Sequence, residues 1–339
     1  MADDERRISL ADGNGGTQML ALLRATVFPA IAGDAAADEE DAALLSPEQA
    51  ELVFTTDGFT VRPLFFPGGD IGHLAICGSV NDVAMMGGAP VAVALSLILE
   101  AGLPVTTLER VMASIRATAD AAGVRVVTGD TKVVEPGAAD GMYVTTSVVG
   151  WKRQAAPTGA GTIADGDAVI VSGSIGHHGV AIMAAREQLP FVSEIVSDAA
   201  PLNGMVMELL AACPSVRWLR DATRGGVAAV LNECAQACGM EIEIDDTALP
   251  VAEDVKGAAE VLGLDPLYMA NEGRCVVVCP VDSAVAAVEA LRAHPYGRNA
   301  ARIGTVRAAG RAGRVVLTTG YGARRVVAMP SGEQLPRIC

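Results

Sequence analysis

The stretch ELVFTTDGFTVRPLFFPGGDIGHLAICGSVNDVAMMGGAPVAVALSLIL, residues 51–99, contains the pattern from which the fold is predicted. Apolar runs at 51–55 and 91–99 predict buried strands, and the segment after Gly69 has the periodicity of a helix. A strand, a helix and a second strand in this order are typical of proteins that mix helices with a central sheet.

The same alternation continues on both sides of this stretch. In the first half, helices are predicted at 19–28 and 107–122, and strands at 124–128 and 142–149. In the second half, helices are predicted at 179–187, 202–211 and 225–238, and strands at 167–173, 241–244, 275–279 and 315–317. Between the halves, WKRQAAPTGAGTIADGD has no periodicity and is rich in Pro, Gly and Thr, which predicts a boundary near residue 156. We therefore predict an α/β (α+β) fold with domains at 1–156 and 157–330 and a tail at 331–339.

Charge and composition exclude several classes of protein. The 339 residues include 25 Lys and Arg against 40 Asp and Glu, a net charge of −15, and only 4% are aromatic. Nucleic-acid binding favours basic patches and stacking aromatics, so we expect no nucleic-acid partner. The sequence contains no long apolar run, and its N-terminal residues MADDERRISLADG lack the build of a signal peptide. We expect a cytoplasmic protein without a membrane partner.

The sequence ends in LPRIC, with Cys339 as its last residue. Chain ends often carry residues without a role, so a terminal cysteine is by itself weak evidence. Here Pro330, Gly332 and Pro336 disfavour a helix, and residues 331–339 predict a mobile tether that reaches on the order of 30 Å when extended. A nucleophile on such a tether can visit more than one site.

Several aspartates follow apolar runs: Asp57, Asp82, Asp130 and Asp221. One such residue is most simply a turn former. Several in one chain suggest a common role, because carboxylates that converge from the loops of a sheet can hold Mg²⁺ against the phosphates of a nucleotide.

Other polar residues are candidates for binding phosphate or moving protons. Lys132 follows Asp130 in GDTK, and Arg224 lies before two glycines in RDATRGG, where a helix N-terminus can receive phosphate. The loop ADGNGGTQ, which contains Gly15 and Gly16, can fold over a ligand. Glu272, in YMANEGRCVVV, is a general base if it reaches a cavity. In the alternative interpretations, Lys132 is a surface lysine, Arg224 forms a local ion pair, the glycine-rich segment is an ordinary flexible loop, and Glu272 is a turn residue.

These motifs together resemble a known family. TTDGFTVRPLFFPGGDIGHLAICGSVNDVAMMGGAP, GDTKVVEPG, SGSIGHHGVAIMAAREQL, RDATRGGVAAVLNE, LGLDPLYMANEG and PRIC occur in the order found in the HypE hydrogenase maturation proteins, which are carbamoyl dehydratases. The match covers nearly the whole chain, and PRIC is its most specific part. The chain is more distantly similar to aminoimidazole ribonucleotide (AIR) synthetase, selenophosphate synthetase and thiamine-monophosphate kinase.

The resemblance implies a two-domain AIR-synthetase-like fold, a homodimer that pairs its N-terminal sheets, and Mg-ATP bound in the cleft. It implies that the four aspartates are ligands of Mg²⁺ or nucleotide, that the loop at Gly15 and Gly16 covers the nucleotide, and that Lys132 and Arg153 contact phosphates. Cys339 would receive a carbamoyl group from the carbamoyltransferase HypF. We expect Arg224 to contribute to nucleotide binding as well.

The implied reaction converts the carbamoyl group on Cys339 to a thiocyanate. ATP would phosphorylate the carboxamide oxygen, which turns a poor leaving group into phosphate, while Glu272 accepts protons and Lys132 faces the transferred phosphoryl group. The cyanide would then pass to iron on the HypC–HypD complex for a NiFe hydrogenase. Two other interpretations remain: a small-molecule kinase or synthetase of the same superfamily, which leaves PRIC unexplained, and a non-catalytic carrier, which leaves the aspartates unexplained.

Overall fold

The computed structural model describes residues 16–22, 24–25, 43–45, 51–153, 157, 159–187, 195–308, 313–331 and 338–339. Its longer helices are α1 Gly16–Leu22, α2 Ile71–Met85, α3 Val105–Ala122, α4 His177–Glu187, α5 Asn203–Ala212, α6 Gly226–Cys238, α7 Glu253–Leu262 and α8 Ala284–Ala293. Its strands are β1 Ala43–Leu45, β2 Leu52–Phe59, β3 Phe65–Phe66, β4 Gly69–Asp70, β5 Gly88–Glu100, β6 Arg125–Val134, β7 Met142–Lys152, β8 Ala168–Val171, β9 Trp218–Asp221, β10 Glu241–Asp245, β11 Cys275–Cys279, β12 Ala301–Arg307, β13 Arg314–Thr318 and β14 Arg324–Val327. The mixed α/β architecture expected from the sequence is confirmed.

The first half forms a sheet with the strand order β1-β2-β7-β5-β6. Only β5 and β6 are parallel, because α3 carries the chain back between them. Alternate residues such as Val53, Val144 and Val148 are buried on the face that carries α2 and α3. The opposite face, which we call the open face, exposes Phe54 and Trp151. One side of this sheet is therefore covered within the chain, and the other is not.

Helix α2 is buried on nearly all sides. Of its residues only His73 and Asp82 keep intermediate exposure. Asp70 caps its N-terminus by accepting hydrogen bonds from the N–H groups of Gly72 and His73 at 2.7 and 3.0 Å. At Gly72 a Cβ atom would lie 2.7 Å from the Val111 carbonyl oxygen of α3, so a glycine is needed for the two helices to approach closely.

The second half forms a sheet with the order β14-β13-β10-β12-β8-β11-β9. Helix α6 packs on one face of this sheet, and α5 and α8 pack on the other. Strand β11 lies between β8 and β9 and is buried at every residue, as its uninterrupted apolar sequence CVVVC predicts.

The two halves share hydrophobic cores. Val180, Ile182 and Met269 of the second half are buried in one cluster with the α2 and α3 residues, and Ile338 joins them. Met85 of α2 is buried with α5 and α8. The chain passes from β7 to β8 between Lys152 and Ala168. Among the described residues, no helix is both long enough and apolar enough to span a membrane.

Asn81 of α2 joins the halves through buried hydrogen bonds. Its Nδ2 donates to the carbonyl oxygens of Ala200 at 3.1 Å and Glu272 at 3.3 Å, and its Oδ1 accepts from the N–H of Leu202 at 2.7 Å. We expect Asn81→Ala to lower the free energy of unfolding by about 2–4 kcal/mol, because it leaves buried main-chain groups unpaired. Urea denaturation measures this change. Thr106→Ala on exposed α3 surface is the matched control, and a loss below about 1 kcal/mol for Asn81→Ala would contradict the assigned role.

Candidate active site

Two of the predicted acids lie where β2 packs on α2. Asp57 points to the helix-covered face, and a Cβ atom placed on Gly78 of α2 would lie 3.5 Å from its Oδ2. Asp82, one helical turn further along α2, accepts a hydrogen bond from the Thr55 hydroxyl at 2.8 Å. The glycine at position 78 therefore lets the helix come close to the strand and leaves space beside the Asp57 carboxylate.

The second half contributes Asp221, the last residue of β9, and Arg224 from the loop between β9 and α6. This turn requires glycine: Gly225 and Gly226 have φ angles of +75° and +61°, and a Cβ on Gly226 would lie 2.4 Å from the Met269 carbonyl oxygen. The charge of Cys339, followed by those of Asp57, Glu272 and Asp82, raises the pKa of the Arg224 guanidinium above the ordinary value. The turn therefore holds Arg224 near acidic groups of both halves. The site therefore lies at the contact between the halves.

Glu272 is the second acid that the second half contributes to the site, and it is buried. Its N–H donates to Asp198 Oδ1 at 3.0 Å, which fixes the main chain just before β11. Its Oε1 is buried and, in the part of the chain that the structure describes, has no hydrogen-bond partner. A buried carboxyl oxygen without a hydrogen-bond donor costs free energy of folding. We therefore infer that Glu272 Oε1 receives its hydrogen bond from a bound group.

The carboxyl groups of Asp57, Asp221 and Glu272 are neighbours that all interact with Arg224, and Asp221 interacts with Arg220 as well. Burial raises the pKa of Glu272 well above its ordinary value, and the charges of Asp221 and Asp57 raise it further, while Arg224 opposes them. Burial likewise raises the pKa of Asp57, and that of Asp221 to about 6. We call Asp57, Asp221 and Glu272 the acid cluster; burial is the largest cause of the raised pKa of each member.

Cys339 lies beside the acid cluster. Burial raises the pKa of its thiol to about 12; Arg224 lowers it, and the acid cluster raises it. The main-chain oxygen of Cys339 accepts hydrogen bonds from the N–H of Thr60 at 3.0 Å and from its hydroxyl at 3.2 Å. The neighbouring Ile338 oxygen is 2.7 Å from His178 Nε2. The last two residues of the predicted tether are thus docked beside Glu272 in this structure, and residues 332–337 lie outside the described residues.

Asp130 and Lys132 do not join the acid cluster within one chain. The strand register places Asp130 level with Gly58, three strands away, or about 14 Å across the sheet. Gly58 follows Asp57, so Asp130 lies on the open face and Asp57 on the helix-covered face. Asp130 and Lys132 form an exposed ion pair with each other on the edge strand β6.

The other predicted binding residues have different positions. Gly15 lies outside the described residues. Gly16 is buried at the start of α1, where a Cβ would lie 2.2 Å from the Pro330 oxygen, and Pro330 also packs against Gly225. Arg153 is exposed, and its N–H donates to the Gly87 oxygen at 3.0 Å. It lies on the order of 20 Å along β7 from the level of Asp57.

Sequence reasoning missed Thr60, His178 and Asp198. Their roles depend on contacts with residues far away in the sequence, so their local patterns carried little signal. The adjacent pair His177-His178 in GHHG predicts capping or hydrogen-bonding roles, and a hydrogen-bonding role is confirmed for His178, which contacts Ser197 and the Ile338 oxygen.

Magnesium is implied by the resemblance, and the residues present fit it in part. No group of three or more His, Cys, Asp or Glu side chains among the described residues is arranged to hold a metal ion. Mg²⁺, however, is usually bound by one or two carboxylates together with waters and substrate phosphates. Asp57, Asp221 and Asp82 offer such oxygens, and because burial raises the pKa values of Asp57 and Asp221, a bound cation would favour their ionised forms.

Comparisons with known proteins define the class first. The family models for AIR synthase related proteins match the chain at residues 39–151 for the N-terminal domain and 164–316 for the C-terminal domain. The carbamoyl dehydratase HypE of Rhodobacter capsulatus is 47% identical over 342 residues and is covered, like this chain, to 100%. The chain belongs to the HypE family of AIR synthase related proteins.

Solved structures agree with this assignment. A structure of hydrogenase maturation protein HypE in complex with ATP is 41% identical, with a TM-score of 0.82, and covers 98% of this chain and 100% of its own. A HypE–HypF complex is 44% identical, with a TM-score of 0.84, over 91% of this chain and 99% of its own. The family expected from the sequence motifs is confirmed.

The acid cluster makes stability depend on pH. A carboxyl group whose pKa is raised on folding, from 3.8 to about 6 for Asp221, holds its proton more tightly in the folded state. The protein therefore loses stability as the pH rises from about 4 to about 6, by on the order of 3 kcal/mol for this group.

We expect Asp221→Asn to remove this loss, so that the variant gains about 2 kcal/mol over the wild type between pH 4 and pH 7. Urea denaturation in metal-free buffer at both pH values measures the difference. Asp246→Asn, at an exposed position, is the control. If the free energies of unfolding of variant and wild type differ by the same amount at both pH values, folding does not raise the pKa of Asp221.

Proposed function

We propose that this protein dehydrates a carbamoyl group carried on its own Cys339, at the expense of ATP, and leaves a thiocyanate on that cysteine. One observation carries the proposal: Cys339 is docked and half-buried beside Glu272, whose Oε1 has no hydrogen-bond partner among the described residues. The family relatives named carbamoyl dehydratase support it.

The balance of the reaction accounts for the use of ATP. The γ-phosphoryl group moves to the carboxamide oxygen, the nitrogen loses its two protons, and the C–O bond breaks as phosphate leaves, so the products are thiocyanate, ADP and phosphate. The HypE structure solved with ATP supports nucleotide binding by this fold. Mg²⁺, held by Asp57, Asp82 and Asp221, would neutralise phosphate charge.

Glu272 is the base that we propose for the N–H protons. A carboxylate with a raised pKa accepts a proton more readily than an ordinary one once it is ionised. Asp198 fixes its main chain at 3.0 Å, and Arg224 favours the ionised form. A carboxamide N–H is also a donor that would satisfy the unpaired Oε1.

We propose a homodimer that pairs the N-terminal sheets. The open face exposes Phe54, Ile98 and Trp151, and β6 is a sheet edge with nearly all of its residues exposed. Within one chain, Lys132 is on the face opposite to Asp57. If Lys132 acts on the transferred phosphoryl group, it therefore reaches it from the second chain of the dimer.

The partners and the location follow from the proposed reaction. The carbamoyl group would come from a HypF-type carbamoyltransferase, which the HypE–HypF complex supports, and the cyanide would go to iron on a HypC–HypD complex. A reducing compartment such as the cytoplasm is consistent with seven free cysteines.

A kinase or synthetase for a free small molecule is the second candidate. The acid cluster and Arg224 are compatible with any phosphoryl transfer. Such an enzyme would, however, need an open pocket for its substrate where Cys339 and the buried Ile338 now lie. The docked tail therefore favours the dehydratase.

Intact mass spectrometry tests the dehydratase function. After incubation with HypF, carbamoyl phosphate and ATP, the wild type should gain one carbamoyl group, and fresh Mg-ATP should then remove one water. We expect Glu272→Gln to load normally but to dehydrate about 10²- to 10⁴-fold more slowly, because the proton acceptor is lost. Cys339→Ala is the control for the site of loading. Dehydration at the full rate in Glu272→Gln would show that Glu272 is not the base. ATP turnover with Cys339 unmodified would favour the small-molecule kinase or synthetase.

Mixed dimers test the position of Lys132. A Lys132→Ala chain still carries Cys339, and a Cys339→Ala chain still carries Lys132. If Lys132 acts across the dimer, a mixture of the two should dehydrate the carbamoyl group on the Lys132→Ala chain, which Lys132→Ala homodimers do not. Chain masses differ, so mass spectrometry resolves the two. No dehydration in the mixture would show that Lys132 acts within its own chain.

A further inference from the structure

The docked end of the tail is held by its main chain. The contacts are those of Thr60 with the Cys339 oxygen at 3.0 and 3.2 Å and of His178 with the Ile338 oxygen at 2.7 Å. The Ile338 side chain is 4% exposed and belongs to the core cluster that contains Val180 and Met269. The cysteine side chain, in contrast, faces the charges of the acid cluster and Arg224.

His178 is prepared as a hydrogen-bond donor to this main chain. The Ile338 oxygen only accepts, so Nε2 must carry a proton. Burial lowers the pKa of His178, so the ring is neutral and Nδ1 is an acceptor. Nδ1 lies 2.8 Å from the Ser197 hydroxyl, and the same hydroxyl oxygen accepts a hydrogen bond from the Ala199 N–H at 3.1 Å. The Ile338 oxygen thus determines the tautomer of the ring, and the Ser197 hydroxyl donates to Nδ1.

The surroundings also determine the position of the ring. Phe66 contacts the His178 ring edge to face, with 5.6 Å between centroids. The Ser197 N–H donates to the Pro67 oxygen at 2.8 Å, and a Cβ on Gly68 would lie 2.7 Å from the Ser197 nitrogen. The next residue, Asp198, accepts from the Glu272 N–H at 3.0 Å. The segment at 197–199 therefore positions both the tail and the proposed base.

We propose that Thr60, His178 and Ser197, with the pocket for Ile338, form a docking site that recognises the main chain of residues 338–339 and leaves the Cys339 side chain free of recognition. Because these contacts avoid the sulfur atom, the thiol and its uncharged carbamoyl and thiocyanate forms all fit the same site. Thr60 and His178 are positioning residues: they hold the reacting group beside Glu272 and take no part in bond making. This inference deepens the proposed function and rests on it for the modified forms of Cys339.

Alkylation of Cys339 in the full-length protein tests the docking site without any activity. The probe is iodoacetamide at pH 8, with the rate at each cysteine read by peptide mass spectrometry. We expect His178→Ala to raise the rate at Cys339 by about tenfold, because the loss of one anchor increases the undocked population. His178→Gln keeps an N–H donor and should restore most of the protection.

His177→Ala is the matched control. This neighbouring ring faces Asp198, Arg274 and Asp254, and its Nδ1 is buried without a hydrogen-bond partner among the described residues, so its loss should leave the Cys339 rate unchanged. Cys77 is fully buried and reports on the fold, because its alkylation rises only if the variant unfolds. If His178→Ala unfolds and so exposes Cys77, Thr60→Val is used in its place. Faster alkylation of Cys339 in Thr60→Val, with Cys77 still protected, supports the docking site.

Unchanged Cys339 alkylation in folded His178→Ala, or in Thr60→Val where that variant decides, would overturn the docking site. A second measurement separates this outcome from failure of the proposed function. In His178→Ala loaded by HypF, carbamoylation should proceed at the wild-type rate or faster, and dehydration should be about tenfold slower. If alkylation responds as expected but no variant and no wild type dehydrates, the docking site stands and the proposed reaction falls.

Discussion

The burial of helix α2 on nearly all sides is the constraint on which the rest of the structure depends. A helix with this environment needs small residues, and Gly72 and Gly78 meet α3 and β2 at distances that a Cβ atom does not permit. It also needs partners for every polar side chain. Asn81 finds them in the second half and Asp82 finds one in the first, so the same helix joins the halves and carries an acid of the site.

The electrostatics of the site follow from this arrangement. Buried carboxyl groups from both halves meet here, and Arg224, together with Arg220 at Asp221, opposes the rise in their pKa values. A triphosphate would add negative charge to this region, and it can enter only together with compensating cations. In the proposed reaction, Mg²⁺ and Lys132 of a second chain would be these cations.

The sequence predicted the alternation of elements well, and it failed where distant contacts decide. Strand β11 at 275–279 was predicted with its observed bounds, because an entirely apolar run leaves one interpretation. Strands β9 and β12 were not predicted, since they take their identity from pairing with β8 and β11. Asp57 and Asp130 looked equivalent as aspartates after apolar runs, yet the sheet register places them on opposite faces. The docked position of Cys339 depends on Thr60 and His178, which no local pattern connects with the tail.

The docked thiol explains why the tail has to move in the proposed reaction. Loading of Cys339 needs a thiolate, and burial raises the pKa of the docked thiol from 9.0 to about 12, which disfavours the thiolate by on the order of 4 kcal/mol. The carbamoyl thioester has no such proton to lose, so its docking carries no comparable penalty. Docking therefore discriminates between the ionised thiol and the loaded cysteine by charge alone. The neutral thiol and the loaded cysteine can both dock, but the docked thiol is unreactive because it does not ionise, so in the proposed cycle loading takes place outside the site and dehydration within it.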